Sequence, residues 1–161
     1  MSETALRRTF AAATIVWASA LILGPFIASR SQVGSLAYVV SLAIYKVGSL
    51  ICHQRPERSF HAWGAQLPVC ARCAGIYLGA LVAAVGAATM PAHSDRDPVV
   101  KRAMLAVMLA ALPTALTLFD EWTTGLTPAN WIRSVAGFPL GAIVAWVIVV
   151  ASTPRTAVAI H

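Results

Sequence analysis

From Thr9 to Ala28 the chain runs for twenty residues without a charged side chain. At about 1.5 Å of rise per residue, such a run crosses the roughly 30 Å hydrocarbon core of a bilayer as a helix. Arg7 and Arg8 precede it, as they would in a signal peptide. A signal h-region is only about 7–15 residues, however, and this run continues to Gly24-Pro25, which favours a retained helix.

The pattern repeats along the chain. Apolar runs at about 9–28, 32–52, 73–92, 103–120 and 133–153 leave little sequence for anything but membrane helices and their connections. The composition agrees: 58% of the 161 residues are hydrophobic and 11% charged, against about a quarter charged in soluble domains. The reading is an all-α membrane protein. Residues 1–161 form one integral-membrane domain, a bundle of about five transmembrane helices, with a Cys/His-rich interfacial loop between spans two and three. It would be a multi-pass membrane protein.

The second run is the weakest, interrupted by Lys46 and thinned by Gly34 and Gly48; it spans fully or lies partly at the interface. Pro113 is expected to kink the fourth. The polar connection 91–102 holds His93, read as solvated. Gly75 and Gly79, then Gly137 and Gly141, form G-x-x-x-G pairs, which let helix backbones approach closely in lipid. They serve packing within the chain or a homo-oligomer. The net charge of +6 sits between apolar runs, where basic residues meet lipid phosphates. With no basic stripe interleaved with aromatics, nucleic acid is not an expected partner.

The chemistry is concentrated in 51–79, ICHQRPERSFHAWGAQLPVCARCAGIYLG. Cys52, Cys70 and Cys73 follow a C-x17-C-x2-C spacing. A C-x-x-C pair brings two sulfurs together on one turn, as both zinc ribbons and redox motifs require. The leading reading is a Cys3His-type metal site, zinc first and iron second, on Cys52, Cys70, Cys73 and His53, with His61 in reserve as the histidine. A thiol–disulfide oxidoreductase is the alternative. Cys70 and Cys73 would exchange with Cys52 or a quinone-like acceptor, their thiolates favoured by Arg72 and a helix N-terminus. One disulfide plus a free thiol, or cysteines merely packed, also stand.

Pro56 and Pro68 bar a continuous helix between the cysteines, so one helical turn at 57–61 is the most expected there. Arg55, Glu57 and Arg58 form an ion-pair network, clamp an anion, because arginine grips phosphate in fork geometry, or are simply a solvated charge run. A small transporter or anionic-lipid-binding module, with Arg55, Arg58 and Lys46 facing the ligand, is therefore a third function. Asp120 and Arg133, at the ends of runs four and five, pair as an interfacial staple. The sharper reading makes Asp120 a metal ligand or the partner behind His53.

These motifs resemble a prokaryotic family of small predicted membrane proteins, a domain of unknown function with the hallmark C-H-Q-x-P-E-R-S-F. Here the hallmark reads CHQRPERSF, followed by LPVCARCAGIYLG and then Pro113, Asp120, Gly125, Leu126, Asn130, Arg133, Gly137 and Gly141. Ala74 stands where the family pattern has threonine. The resemblance covers roughly 46–141 and implies a compact membrane protein with its motif at the membrane surface. It supplies a residue set that includes Glu57, Arg58, Arg72, Asp120 and Arg133 beside the cysteines and His53, but no reaction.

Overall fold

The structure is a computed structural model that describes residues 3–32, 34–89 and 97–151. His93 and the ends of the third and fifth predicted runs lie outside the described residues. Five α-helices account for most of the described residues: α1 Glu3–Ala28, α2 Ser35–Ile51, α3 Ala71–Thr89, α4 Asp97–Thr124 and α5 Asn130–Ala151. Between α2 and α3 the chain makes a 3-10 turn, Pro56–Arg58, and a hairpin of two-residue strands, β1 His61–Ala62 and β2 Ala65–Gln66. The protein is thus an all-α membrane bundle with its cysteine-rich loop where the sequence places it.

Four helices, α1, α3, α4 and α5, are long and apolar enough to cross a membrane. The helix built on the second run is shorter than the other four. Helix α2 has 17 residues, about 25 Å at the usual rise, short of the roughly 30 Å hydrocarbon core. It begins only after Gly34 and ends where Cys52 turns extended. The 3-10 turn also begins one residue earlier than the expected helical turn and is over by Ser59, because His61 is drawn into β1.

Packing neighbours follow the spatial order α2–α1–α3–α5–α4. Leu105, Leu109, Leu112 and Leu116 form an exposed row on α4, and Leu36, Val39 and Leu50 do so on α2. Such faces suit acyl chains. Pro113 and Pro139 lie inside α4 and α5 without ending them. Proline removes an i→i−4 hydrogen bond, and neighbouring helices tolerate this in membranes by supplying other bonds. Next to Pro113, the Thr114 hydroxyl donates to the Ala136 carbonyl of α5 at 2.8 Å.

Helices α3 and α5 approach most closely. A Cβ on Gly75 or Gly79 would strike the Ser134 or Phe138 carbonyl; one on Gly137 or Gly141 would strike that of Arg72 or Ile76. Each G-x-x-x-G pair therefore faces the carbonyls of the opposite helix. Cα–H···O contacts are a recurring feature of such crossings. The two stripes are buried against each other within one chain, leaving neither as an open face for a second copy.

Candidate functional site

The site begins at the C-terminal end of α2. Cys52 caps the helix, its N–H donating to the Gly48 carbonyl at 2.9 Å. Two residues on, Gln54 takes φ +47, uncommon for a side chain-bearing residue. Its amide donates to the carbonyls of Tyr45 at 2.8 Å and Pro68 at 2.7 Å, while Gln66 donates back to the Gln54 carbonyl at 2.6 Å. This clamp lays the returning limb of the loop on the last turn of α2. Gly48 makes the approach possible, since a Cβ there would strike the Pro68 carbonyl. The Tyr45 hydroxyl adds a bond to the Gln66 carbonyl.

The hairpin turns on Trp63 and Gly64, with φ of +54 and +79. Two positive φ values in a two-residue connection match the twist of paired strands. Trp63 then meets Phe26 of α1 edge to face, centroids 5.3 Å apart. Buried Ser59 donates to the Arg55 carbonyl at 2.9 Å, and Asn130, opening α5, donates to the Ser59 carbonyl at 3.0 Å. The loop is therefore fastened to α1, α2 and α5 before it enters α3.

That fastening returns Cys70 to Cys52. The Cys70 N–H donates to the Cys52 sulfur at 3.1 Å. Cys73 follows three residues later in the first turn of α3, on the same helical face as Cys70. All three sulfurs lie within 4.8 Å of one another. A tetrahedral zinc with Zn–S bonds of about 2.3 Å sets its sulfurs about 3.8 Å apart, so small side-chain adjustments suffice. Leu21 and Val69 form an apolar floor with Cys52, and Trp17 and Tyr77 pack against it. The Cys73 thiol donates a hydrogen bond that lowers the Cys70 pKa to about 5, against the opposing effect of burial.

A second cluster lies across the same cleft. Glu121 of α4 is buried and receives three arginines from three elements. Arg133 of α5 reaches it at 2.8 Å, Arg72 of α3 at 2.9 Å and Arg58 of the loop at 3.5 Å. Arg72 also donates to the Thr117 hydroxyl at 3.2 Å. Arg133 is among the largest fully enclosed side chains, with a relative exposure of 2%. One carboxylate cannot satisfy three guanidinium groups, and the Nε atoms of Arg58, Arg72 and Arg133 are buried without a hydrogen-bond partner. An unmet buried donor of this kind costs about 1–3 kcal/mol. A cleft of about 630 Å³ joins the clusters, with the three cysteines and these three arginines in its walls.

Not every residue singled out in the sequence joins this arrangement. Among the described residues, the grouping that suits a metal is the three cysteines alone. His53 lines the cleft but is exposed, and His61 is exposed on β1. Glu57 is exposed in the 3-10 turn, and Arg58 finds Glu121 across the cleft. The expected Asp120–Arg133 pair is not formed: Asp120 is exposed and Glu121 takes the arginine. Neighbours on a helix point about 100° apart, so only one of the two carboxylates can face α5. The signal for Glu121 was present in Thr114 and Thr117, which occupy the same helix face at spacings of seven and four. Exposed Phe119 and Trp122 mark the outer face.

Fold and site together define a multi-pass helical membrane protein with a thiol cluster and an arginine–glutamate cluster at one end of its bundle. The chain belongs to the family described as "Predicted membrane protein (DUF2085)", whose model matches residues 52–147. The matched region contains both clusters. An uncharacterized protein of Methanocaldococcus jannaschii is 31% identical over 127 residues, 79% of this chain and 80% of that protein. One of Methanothermobacter thermautotrophicus is 35% identical over 91 residues, 56% of this chain and 78% of that protein. No solved structure matches the chain.

Proposed function

We propose that this protein binds a thiophilic metal ion, zinc first and iron second, on Cys52, Cys70 and Cys73 in the prokaryotic cytoplasmic membrane. The observation that carries the reading is the meeting of three sulfurs, two of them separated from the third by a seventeen-residue loop, within 4.8 Å. The loop is braced by the Gln54 clamp and the hairpin, so ligand positions are held before an ion arrives. Three thiolates would suit a soft or borderline ion, and because they line the cleft, a fourth donor could reach it from there. His53, beside Cys52 on the cleft wall, is the nearest candidate in sequence to complete a Cys3His set.

The depressed Cys70 pKa favours a second reading, a membrane thiol–disulfide oxidoreductase. The Cys70 thiolate would attack a substrate disulfide, and Cys73 would resolve the mixed disulfide. One experiment separates the two. Protein purified in detergent is assayed for metals by mass spectrometry, and its thiols are titrated before and after chelation. The metal reading expects about one zinc or iron per chain, thiols released by chelator, and loss of the ion in Cys52→Ser. A metal-free protein whose Cys70/Cys73 pair cycles with mild reductant sinks it in favour of the second reading.

A further inference from the structure

We propose that the cleft beside the cysteines is a phosphate-binding site, built by Arg58, Arg72 and Arg133 around the fixed carboxylate of Glu121. The inference deepens the metal reading by naming a ligand class for the same cleft. It stands on a different set of residues, so either reading can fail alone.

Charge comes first. Three guanidinium groups converge on one carboxylate, a formal excess of two positive charges. A zinc ion on three thiolates carries one net negative charge, so even with the metal bound the excess is not cancelled. Arg55, also in the cleft wall, adds to it. Such a local excess in a membrane protein calls for a counter-anion.

Hydrogen-bond demand comes second. Arg133 is buried to 2% exposure, and its Nε–H has no partner; the Nε–H groups of Arg58 and Arg72 are in the same position. All three arginines line the one cleft. Glu121 already holds their terminal nitrogens, which fixes each guanidinium and leaves donors over. Phosphate has oxygens enough for several forks, whereas a second carboxylate has only two.

Space and placement come third. The cleft volume, about 630 Å³, falls within the roughly 300–1,000 Å³ typical of small-ligand sites. It therefore admits a phosphate with a substituent attached. The cleft sits at helix ends, with Ile51 and Trp122 exposed at its walls. A phosphate there is either the headgroup of a lipid lying beside the bundle or a soluble phosphoester.

The test uses the full chain in a zwitterionic detergent, titrated calorimetrically with pyrophosphate in one arm and with phosphatidic acid in mixed micelles in the other. Saturable binding in either arm is expected, and the arm that saturates identifies the source. Arg58→Gln and Arg72→Gln should each weaken it about tenfold or more, since a hydrogen bond to a charged group is typically worth that much. Weakening in either variant supports the site. Arg58 is half-exposed, so its variant folds even where loss of a more deeply buried arginine is not tolerated. Stripping the metal with chelator separates the two readings: it should remove the ion and leave phosphate binding within about threefold. No saturation in either arm overturns the proposal, as does binding unchanged in both arginine variants. Binding lost on chelation also overturns it, by moving the anion from the arginines to the metal.

Discussion

Between Gly75 and Gly141, helices α3 and α5 approach so closely that a Cβ on any of the four glycines would strike a backbone carbonyl of the opposite helix. One turn away, at Arg72 and Arg133, the same two helices hold long charged side chains around the carboxylate of α4. The glycine zone depends on shape alone, and any added carbon is an obstacle. In the arginine zone, by contrast, volume is tolerated and charge decides. A single bundle thus keeps a rigid end that sets distances and a polar end that uses them.

The largest effect should come from breaking the shape rule. Gly141→Leu must push α3 and α5 apart at the Ile76 carbonyl, and we expect a loss of about 4 kcal/mol or more, seen as a collapse of the thermal unfolding midpoint in detergent. Next is the charge rule. Glu121→Gln keeps the volume but leaves three arginines without their carboxylate, which should cost about 3 kcal/mol in the same assay. A midpoint within a degree of wild type would show that the arginines do not depend on Glu121.

A third measurement sharpens the comparison at the sulfur wall of the cleft. With its pKa lowered to about 5, Cys70 in chelator-treated protein should remain thiolate at pH 6. Iodoacetamide should then modify it there faster than an ordinary thiol by about a hundredfold, because only the thiolate attacks. Protonation removes the nucleophile, so the rate should fall as the pH drops through about 5. A rate that is negligible at pH 6 and rises only toward pH 8.5 would contradict the geometry. The smallest effects are expected outside both zones. Asp120→Asn, on the exposed side of α4, should change stability by less than about 0.5 kcal/mol. Gly86→Ala, with open space around it, should be neutral or raise stability by about 0.5 kcal/mol.

The shape zone was legible in the sequence and the charge zone only partly so. Uncharged runs declare membrane helices because lipid excludes charge, and G-x-x-x-G declares close packing because few other residues permit it. The convergence of Cys52 on the C-x-x-C pair was also foreseeable from a helix end, a loop and a helix start. Asp120 was expected to hold Arg133 where the structure uses Glu121, because that choice rests on helical phase, and a single residue of phase exchanges inside for outside. The length of α2 was equally hidden, because Gly34 and Cys52 set its ends through backbone conformation rather than hydropathy. Gln54 and Trp63 gave no sign of their positive φ values, which follow from what each side chain reaches across the loop.

The interlocking of α3 with α5 also limits how this protein can move. Cys73, Arg72 and Arg133 all ride on what is mechanically a single rod, so they keep station relative to one another. Opening or narrowing the mouth is then left to a displacement of α4, carrying Glu121, of the α2 end, carrying Cys52, or of the loop between α2 and α3 that carries Arg58. The first would alter how much positive charge is neutralised, and the second would draw one sulfur from the other two. Paired spin labels would register either displacement as a changed distance from α4 or α2 to α5, while the α3–α5 distance holds constant.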